Sequence, residues 1–226
     1  MPTHAPRTRL SRAEQQEQTR ARLLAAAADL FTARGVNGAS VEQIAEHAGY
    51  SRGAFYSNFA DKQALVAALL MERTRREAEE VEGIVLDPAA SFAQRMDALR
   101  AWHRERAANA GSWLLLRTEL WLHAVRTQDA DLLRRIEERE LFARRALADG
   151  VATAFRGPDE APPADPAFLG LIMHALEDGL LIQGQIAPEG TGDTSIVDAV
   201  DLLIRAWRAL ARAEDRGTMP FSQHRG

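Results

Sequence analysis

Ser40-Val41-Glu42-Gln43-Ile44-Ala45-Glu46-His47-Ala48-Gly49-Tyr50-Ser51-Arg52-Gly53-Ala54-Phe55-Tyr56-Ser57-Asn58-Phe59 reads as two short helices joined by a tight glycine turn. Ser40 and Gln43 have the spacing of a capping box, so a helix is expected from Val41 to about His47. Ile44 and Ala48 share one face of it, and small Ala45 lets a second helix approach closely. Gly49 falls where the chain must turn sharply, at a positive φ that glycine takes without steric penalty. Ser51 caps the next helix, in which Phe55 and Phe59 lie one turn apart and face inward together. A wheel at about 100° per residue then turns Gly53, Ala54, Tyr56 and Ser57 away from that aromatic side. A buried helix would not offer glycine, tyrosine and serine outward, and a merely solvated one would carry Glu or Lys. The layout is that of a helix-turn-helix, and an ordinary helical hairpin with a glycine turn is the plainer alternative.

The rest of the chain sets the frame for this head. Its 226 residues can bury a substantial core as one medium domain, or as a small domain joined to a larger one. The absence of cysteine excludes disulfides, thiolate metal sites and a cysteine nucleophile. No apolar run reaches the roughly 18 residues of a membrane span, and the first ten residues hold Arg7 and Arg9 but no apolar signal core. A soluble cytoplasmic protein without a membrane partner is expected. The net charge of −4 argues against a nucleic-acid partner, but residues 1–62 hold eight Arg/Lys against six Asp/Glu, a balance of +2. Six of those cations flank or fall in the head: Arg7, Arg9, Arg12, Arg34, Arg52 and Lys62. A mildly basic head on an acidic body concentrates attraction for phosphates at one end.

Helical periodicity continues throughout, and no segment shows strand alternation. Ser11-x-x-Glu14 starts a helix to about Arg34, with Leu24, Ala27, Ala28 and Phe31 as its apolar stripe. Asp61 caps a helix from Lys62 to about Glu82. Further helices are expected at about 89–108, 112–125 and 129–155. After the proline-rich loop from Gly157 to Asp165, two more follow, the first starting at Pro166 and reaching about Gln185, the second spanning about Asp193–Glu214. The expected fold is all-α with about nine helices. It comprises a flexible basic arm (1–10), a three-helix helix-turn-helix domain (11–60), a helical effector-binding and dimerisation domain (61–214) and a tail (215–226).

The first 65 or so residues resemble the TetR (tetracycline-repressor) family of bacterial transcription regulators. The pattern is a long helix ending in Phe31-x-x-x-Gly35, then Ser40-Val41-x-x-Ile44-Ala45-x-x-Ala48-Gly49-x-Ser51-x-Gly53-x-Phe55-Tyr56-x-x-Phe59-x-x-Lys62-x-x-Leu65. Glu119-Leu120-Trp121-x-x-Ala124 resembles the sixth helix of that family. Two positions depart from its pattern: Tyr50 stands where an aliphatic residue is usual, and Asn58 where histidine or tyrosine is common. The resemblance implies a dimer on double-stranded DNA, and an effector that moves the Lys62 helix to spread the two heads. Repression is expected on family frequency.

Residue roles follow from this frame. Arg52 to Asn58 is expected to enter the major groove, Arg52 bonding guanine and Ala54 touching a thymine methyl, with Gly53 allowing close backbone approach. Tyr56, Asn58, Ser40 and Lys62 suit phosphates, Ser57 either role, and Ser51 holds the helix start. Arg52 pairing with a nearby carboxylate, and Tyr56 packing on the head itself, are the duller options. One reading helix covers too few base pairs, so a homodimer is expected through the last two helices. Leu169, Ile172, Leu176 and Leu180 lie on one, Val200, Leu203 and Trp207 on the other. The plainer alternative is that these stripes serve the monomer core. Phe92, Met96, Trp102, Trp113, Leu116 and Trp121, near His103, Glu119 and His123, are the makings of a pocket for an unknown small-molecule effector, or plain core. The six histidines show no metal spacing, and there is neither a G-x-S-x-G nucleophile nor a phosphate-cradling glycine loop, so no enzyme, metal or cofactor is expected. The rival reading is a helical ligand sensor or adaptor of the same fold that does not bind DNA.

Overall fold

The computed structural model describes residues 11–35, 38–155 and 161–215, without the side chains of 213–215. The expected arm with Arg7 and Arg9, the Val36-Asn37 bridge, the start of the proline loop at 156–160 and the tail beyond residue 215 lie outside the described residues. The helices are α1 (Arg12–Arg34), α2 (Val41–His47), α3 (Arg52–Tyr56), α4 (Lys62–Val85), α5 (Phe92–Thr127), α6 (Ala130–Ala154), α7 (Pro166–Ile186) and α8 (Ser195–Asp215). A single 3-10 turn, Pro188–Gly190, lies between the last two. Among the described residues there is no strand, and no helix is long and apolar enough to cross a membrane.

About nine helices become eight among the described residues, because the two expected at 89–108 and 112–125 are one continuous helix, α5. Gly111 lies between the two. An interior glycine costs only about 1 kcal/mol against alanine, and no proline stands beside it to complete an interruption. The end of the Gln185 side chain of α7 lies over Gly111, 2.2 Å from where a Cβ would stand, and that flexible amide can shift to admit one.

The chain forms two compact units. The first comprises residues up to Met71 together with Leu115–Leu133, the second Glu72–Leu114 together with the chain from Arg134 onward. Helices α4, α5 and α6 contribute residues to both. In the first unit α1 packs on α2 and α2 on α3. α1 buries Leu23, Ala26, Ala27, Leu30 and Phe31, a stripe turned by about one residue from the expected one, leaving Leu24 and Ala28 half-buried. Ile44, Ala45, Phe55, Phe59, Leu65 and Val66 are also buried. Each large side chain of this set removes apolar surface worth roughly 1.5–3 kcal/mol from water.

The second unit has two apolar clusters. Val151, Phe155, Leu169, Met173 and Trp207 form one, and Met96, Leu99 and Val197, with Phe92 against them, form the other. An ion network ties α5 to α8. Arg100 donates to Asp198 at 2.8 Å, Asp201 at 3.0 Å and Asp97 at 2.9 Å, while Arg205 donates to Asp201 at 2.6 Å. Hydrogen bonds from Arg100 and Thr194 hold the Asp198 carboxyl below its ordinary value, and those from Arg205 and Arg100 do the same for Asp201. Carboxylates depressed in the folded state contribute stability that is fully present above their unfolded value, near 3.9, and is lost as pH falls through the folded value. Arg100→Met is therefore expected to lower the melting temperature by roughly 2–6 °C at neutral pH, with the gap to wild type narrowing once pH drops below about 4. Thermal melts across that range check this, and a gap indifferent to pH would count against the assignment.

Candidate nucleic-acid interface

The expected capping box at Ser40 is present in both directions. Gln43 N–H donates to Ser40 Oγ at 3.2 Å, and Ser40 N–H to Gln43 Oε1 at 2.9 Å. With its first donors satisfied, α2 forms despite its seven residues, anchored by buried Ile44 and Ala45. The chain then reverses at Gly49, whose φ of +77° is the left-handed conformation the turn requires. Tyr50 N–H donates to Ala45 O at 2.8 Å across that turn. Ser51 opens α3 by accepting from Ala54 N–H at 3.2 Å. The backbone continues in helical bonds to Phe59, so Phe55 and Phe59 meet at 5.8 Å between ring centroids. Phe55 is wholly buried.

Burying those rings decides what faces out. Arg52, Gly53, Tyr56 and Ser57 are exposed and Ala54 is half-exposed, with Tyr56 at 45%. Ser40 and Ser51 are exposed at the two helix starts. Asn58 Nδ2 donates to Ala54 O at 2.8 Å, and the Ser57 hydroxyl to Gly53 O at 2.9 Å, so both side chains brace α3. Lys62 Nζ donates to Ala39 O at 3.2 Å, tying the start of α4 to the approach of α2. Asp61 caps α4, as expected, by accepting from Ala64 N–H at 2.7 Å.

Arg52 does pair with a nearby carboxylate, the duller option named for it: it forms an ion pair with Glu42 at 3.0 Å and stands 5.4 Å from the Tyr56 ring centroid. Arg20 of α1 covers the Phe59 ring at 4.6 Å. Glu42 and Arg52 lie on different helices, and no spacing rule links them. Only the Gly49 turn brings them together.

The nine effector candidates are divided. Phe92, Met96, Trp102, His103 and Trp113 belong to the second unit, and Leu116, Glu119, Trp121 and His123 to the first. Met96 and Leu116 are buried, while Glu119, Trp121 and His123 are exposed. Guanidinium groups cover two of the indoles: Arg106 lies 4.2 Å from the Trp102 ring and Arg73 lies 4.3 Å from that of Trp113. Trp102 Nε1 donates to Glu80 at 2.9 Å, and Arg106 pairs with the same carboxylate. Burial, aided by Arg106, pushes His103 down to about 4, which leaves its imidazole neutral at physiological pH. A cleft of about 210 Å³ beside these groups is lined by Arg73, Arg76, Glu77, Glu80, Glu105, Arg106 and Asn109. A second concavity runs along Gly83, Ile84, Asp87, Ala89, Ala90, Gln94, Arg95 and Ala98. None of the nine lines either.

Of the expected interface residues, Leu169 and Trp207 are buried in the second unit's core, and Ile172, Val200 and Leu203 pack against it. Leu176 and Leu180 are half-buried. The large apolar side chains left exposed on these helices are Phe168, Leu171, Ile182, Ile186, Leu202 and Leu210. Between α6 and α7, His174 Nε2 lies 2.8 Å from Glu140 and 3.9 Å from Asp178. A cation at that nitrogen would force the ring proton onto buried Nδ1, which has no acceptor among the described residues, and would stand beside Arg139, already paired with Glu140. A neutral ring donating from Nε2 to the Glu140 carboxylate, which also pairs with Arg139, accounts for the cluster.

The model of bacterial regulatory proteins of the tetR family matches residues 23–69, the stretch that holds this head. The HTH-type transcriptional regulator SrpR of Pseudomonas putida is 43% identical over 61 residues, 27% of this chain and 29% of SrpR. TtgR, another HTH-type transcriptional regulator of Pseudomonas putida, is 46% identical over 57 residues, 25% of this chain and 27% of TtgR. This chain thus spans under a third of either relative. A TetR-family transcriptional regulator from Cytophaga hutchinsonii has a similar fold, with a TM-score of 0.64 at 17% identity over 89% of this chain and 98% of that one. So does FadR of Bacillus subtilis in complex with stearoyl-CoA, at 0.61 and 16% over 81% and 96%. At these identities the structural likeness bears on the fold alone, and the family likeness is carried by the head: residues 23–69, with their paired short helices and glycine turn, match the bacterial regulatory proteins of the tetR family.

Proposed function

We propose that this protein is a cytoplasmic, non-catalytic transcriptional regulator that binds a palindromic DNA operator as a homodimer, represses from it and leaves it when a small-molecule effector binds. One observation carries the reading: with Phe55 buried, α3 leaves Arg52, Gly53, Tyr56 and Ser57 exposed to solvent. In the major groove Arg52 would bond guanine O6 and N7, and Ala54 would meet a thymine methyl. Tyr56, Ser40, Ser51 and Asn58 would reach phosphates or brace the helix that does. An ammonium with three donors lets Lys62 hold the Ala39 carbonyl and a phosphate at once.

Gly53 supports this reading from the opposite direction. A Cβ there would meet nothing closer than Ser51 Oγ at 3.7 Å, so the protein itself has room for alanine. A helical glycine that the fold does not require is accounted for by the close approach of something else. Gly53→Ala is expected to stabilise the head by about 0.4–1 kcal/mol while weakening DNA binding. Chemical denaturation and a binding titration on the same variant check both signs, and equal affinity would remove this support.

The effector is proposed to bind among the middle helices of the second unit, where Trp102, Trp113 and neutral His103 adjoin the charged cleft. FadR in complex with stearoyl-CoA is a relative in fold that takes a small molecule. Release needs only that the effector bind one state of the protein better than the other. Gel-shift assays of the full chain on DNA upstream of its own gene test the whole reading. A retarded, salt-sensitive complex is expected, and failure to retain any duplex at low salt would leave a sensor or adaptor that does not bind DNA.

A further inference from the structure

Resting on that reading, we propose that Glu42 is a positioning residue for base recognition: its carboxylate, fixed at the start of α2, holds the Arg52 guanidinium in the orientation in which it meets guanine. Glu42 occupies one Nη of Arg52 at 3.0 Å. A guanidinium has five N–H donors in a rigid fork, so this contact leaves another edge for a bidentate partner. The Tyr56 ring at 5.4 Å flanks the same group. Arg52 is therefore held between an anion on α2 and a ring on its own helix before any DNA is present.

The anchor is itself held. Hydrogen bonds from its own backbone and from Ser40 keep the Glu42 carboxyl below its ordinary range, with Arg52 adding to them. It stays ionised at neutral pH and is tied to the α2 start. In water an exposed pair of this kind, with side chains 63% and 54% accessible, adds little stability. Its value lies in removing rotamer freedom that Arg52 would otherwise lose on binding.

The arrangement has an opposite consequence for the phosphates, which a carboxylate on the DNA-facing side repels. Glu42→Ala should therefore act with different signs on two kinds of DNA. The full-length chain would first select its preferred duplex from a randomised pool. On that duplex Glu42→Ala is expected to lose about threefold affinity per half-site and about tenfold for a two-fold symmetric pair, with weaker preference for guanine at the position Arg52 reads. On an alternating dA–dT duplex it is expected to bind as well as wild type or better. Glu42→Gln, which keeps the shape and an acceptor oxygen, should fall between.

A merely structural role for Glu42 would weaken both duplexes alike. A brake that sequesters Arg52 would raise affinity on both. Either result overturns the proposal while leaving DNA binding intact, as does an unchanged guanine preference. If the wild-type chain enriches no duplex, the DNA reading fails and this one with it.

Discussion

Arg52→Ala is expected to weaken operator binding by about 1–3 kcal/mol in each half-site, and so by about 30-fold to more than about 10,000-fold across a symmetric pair. The size follows from what the arginine would do. A bidentate contact to guanine is the strongest single item of sequence information that α3 can carry, since the other outward residues are glycine, alanine, serine and tyrosine. The isolated protein loses almost nothing, because the Glu42 pair and the Tyr56 contact that the substitution removes are both exposed. The expected variant is folded, with an unchanged melting temperature. It binds all sequences at a similar reduced level and keeps nearly the same dependence on salt. The salt dependence separates base reading from simple charge: a lost phosphate contact would lower the slope by about 0.9 per site, whereas a lost base contact would flatten sequence preference instead. Binding titrations at two salt concentrations on the selected duplex and its guanine-substituted variants give both readouts. If Arg52→Ala retains affinity and preference, another residue reads the bases.

The head was legible in the sequence because every constraint on it is local. A capping box spans four residues, the glycine turn a few more, and the inward pair Phe55 and Phe59 a single turn. Each is set by backbone chemistry that does not depend on the rest of the chain. Which carboxylate would pair with Arg52 was not legible, because the Glu42 contact depends on how two short helices cross. The long helices were harder still, for a different reason. In α5, Gly111 has the chemistry of a helix end, yet the helix runs through it. In α7, apolar residues occur in adjacent couples, Phe168-Leu169, Leu171-Ile172 and Leu181-Ile182, so a wheel offers two neighbouring apolar stripes without saying which one the protomer buries. Burial takes the side containing Leu169 and Met173, and exposure falls to Phe168, Leu171 and Ile182. The effector candidates were hard to tell from plain core for a related reason. Aromatic and sulfur side chains mark apolar surface, but here arginines fold onto two of the indoles and the core takes Met96.

That division of α7 makes the second large effect specific. Phe168, Leu171, Ala175, Gly179, Ile182 and Ile186 fall within about 80° of one another on a helical wheel and are exposed, with Ile186 at 73%. On α8, Leu202 at 69% and Leu210 at 43% are the exposed large apolar residues. Water-facing leucine and isoleucine in a continuous stripe, with small Ala175 and Gly179 at its middle, suit the close approach of a second copy of the same helices. A stable dimer buries about 1,200–2,000 Å² in total. In a two-fold contact every substitution appears twice, so Leu171→Glu combined with Ile182→Glu would bring four carboxylates to the interface. Desolvating them without partners costs several kcal/mol, which exceeds what the remaining apolar surface recovers. The expected result is a folded monomer at micromolar concentration by sedimentation equilibrium, with operator affinity reduced on the order of 1,000-fold because each protomer then reads half a palindrome alone. Leu169 and Trp207 would be poor probes, since truncating either opens the protomer's own core. Retention of the dimer by the double variant would move the interface off this stripe, and a monomeric wild-type chain would remove the palindrome from the proposed function altogether.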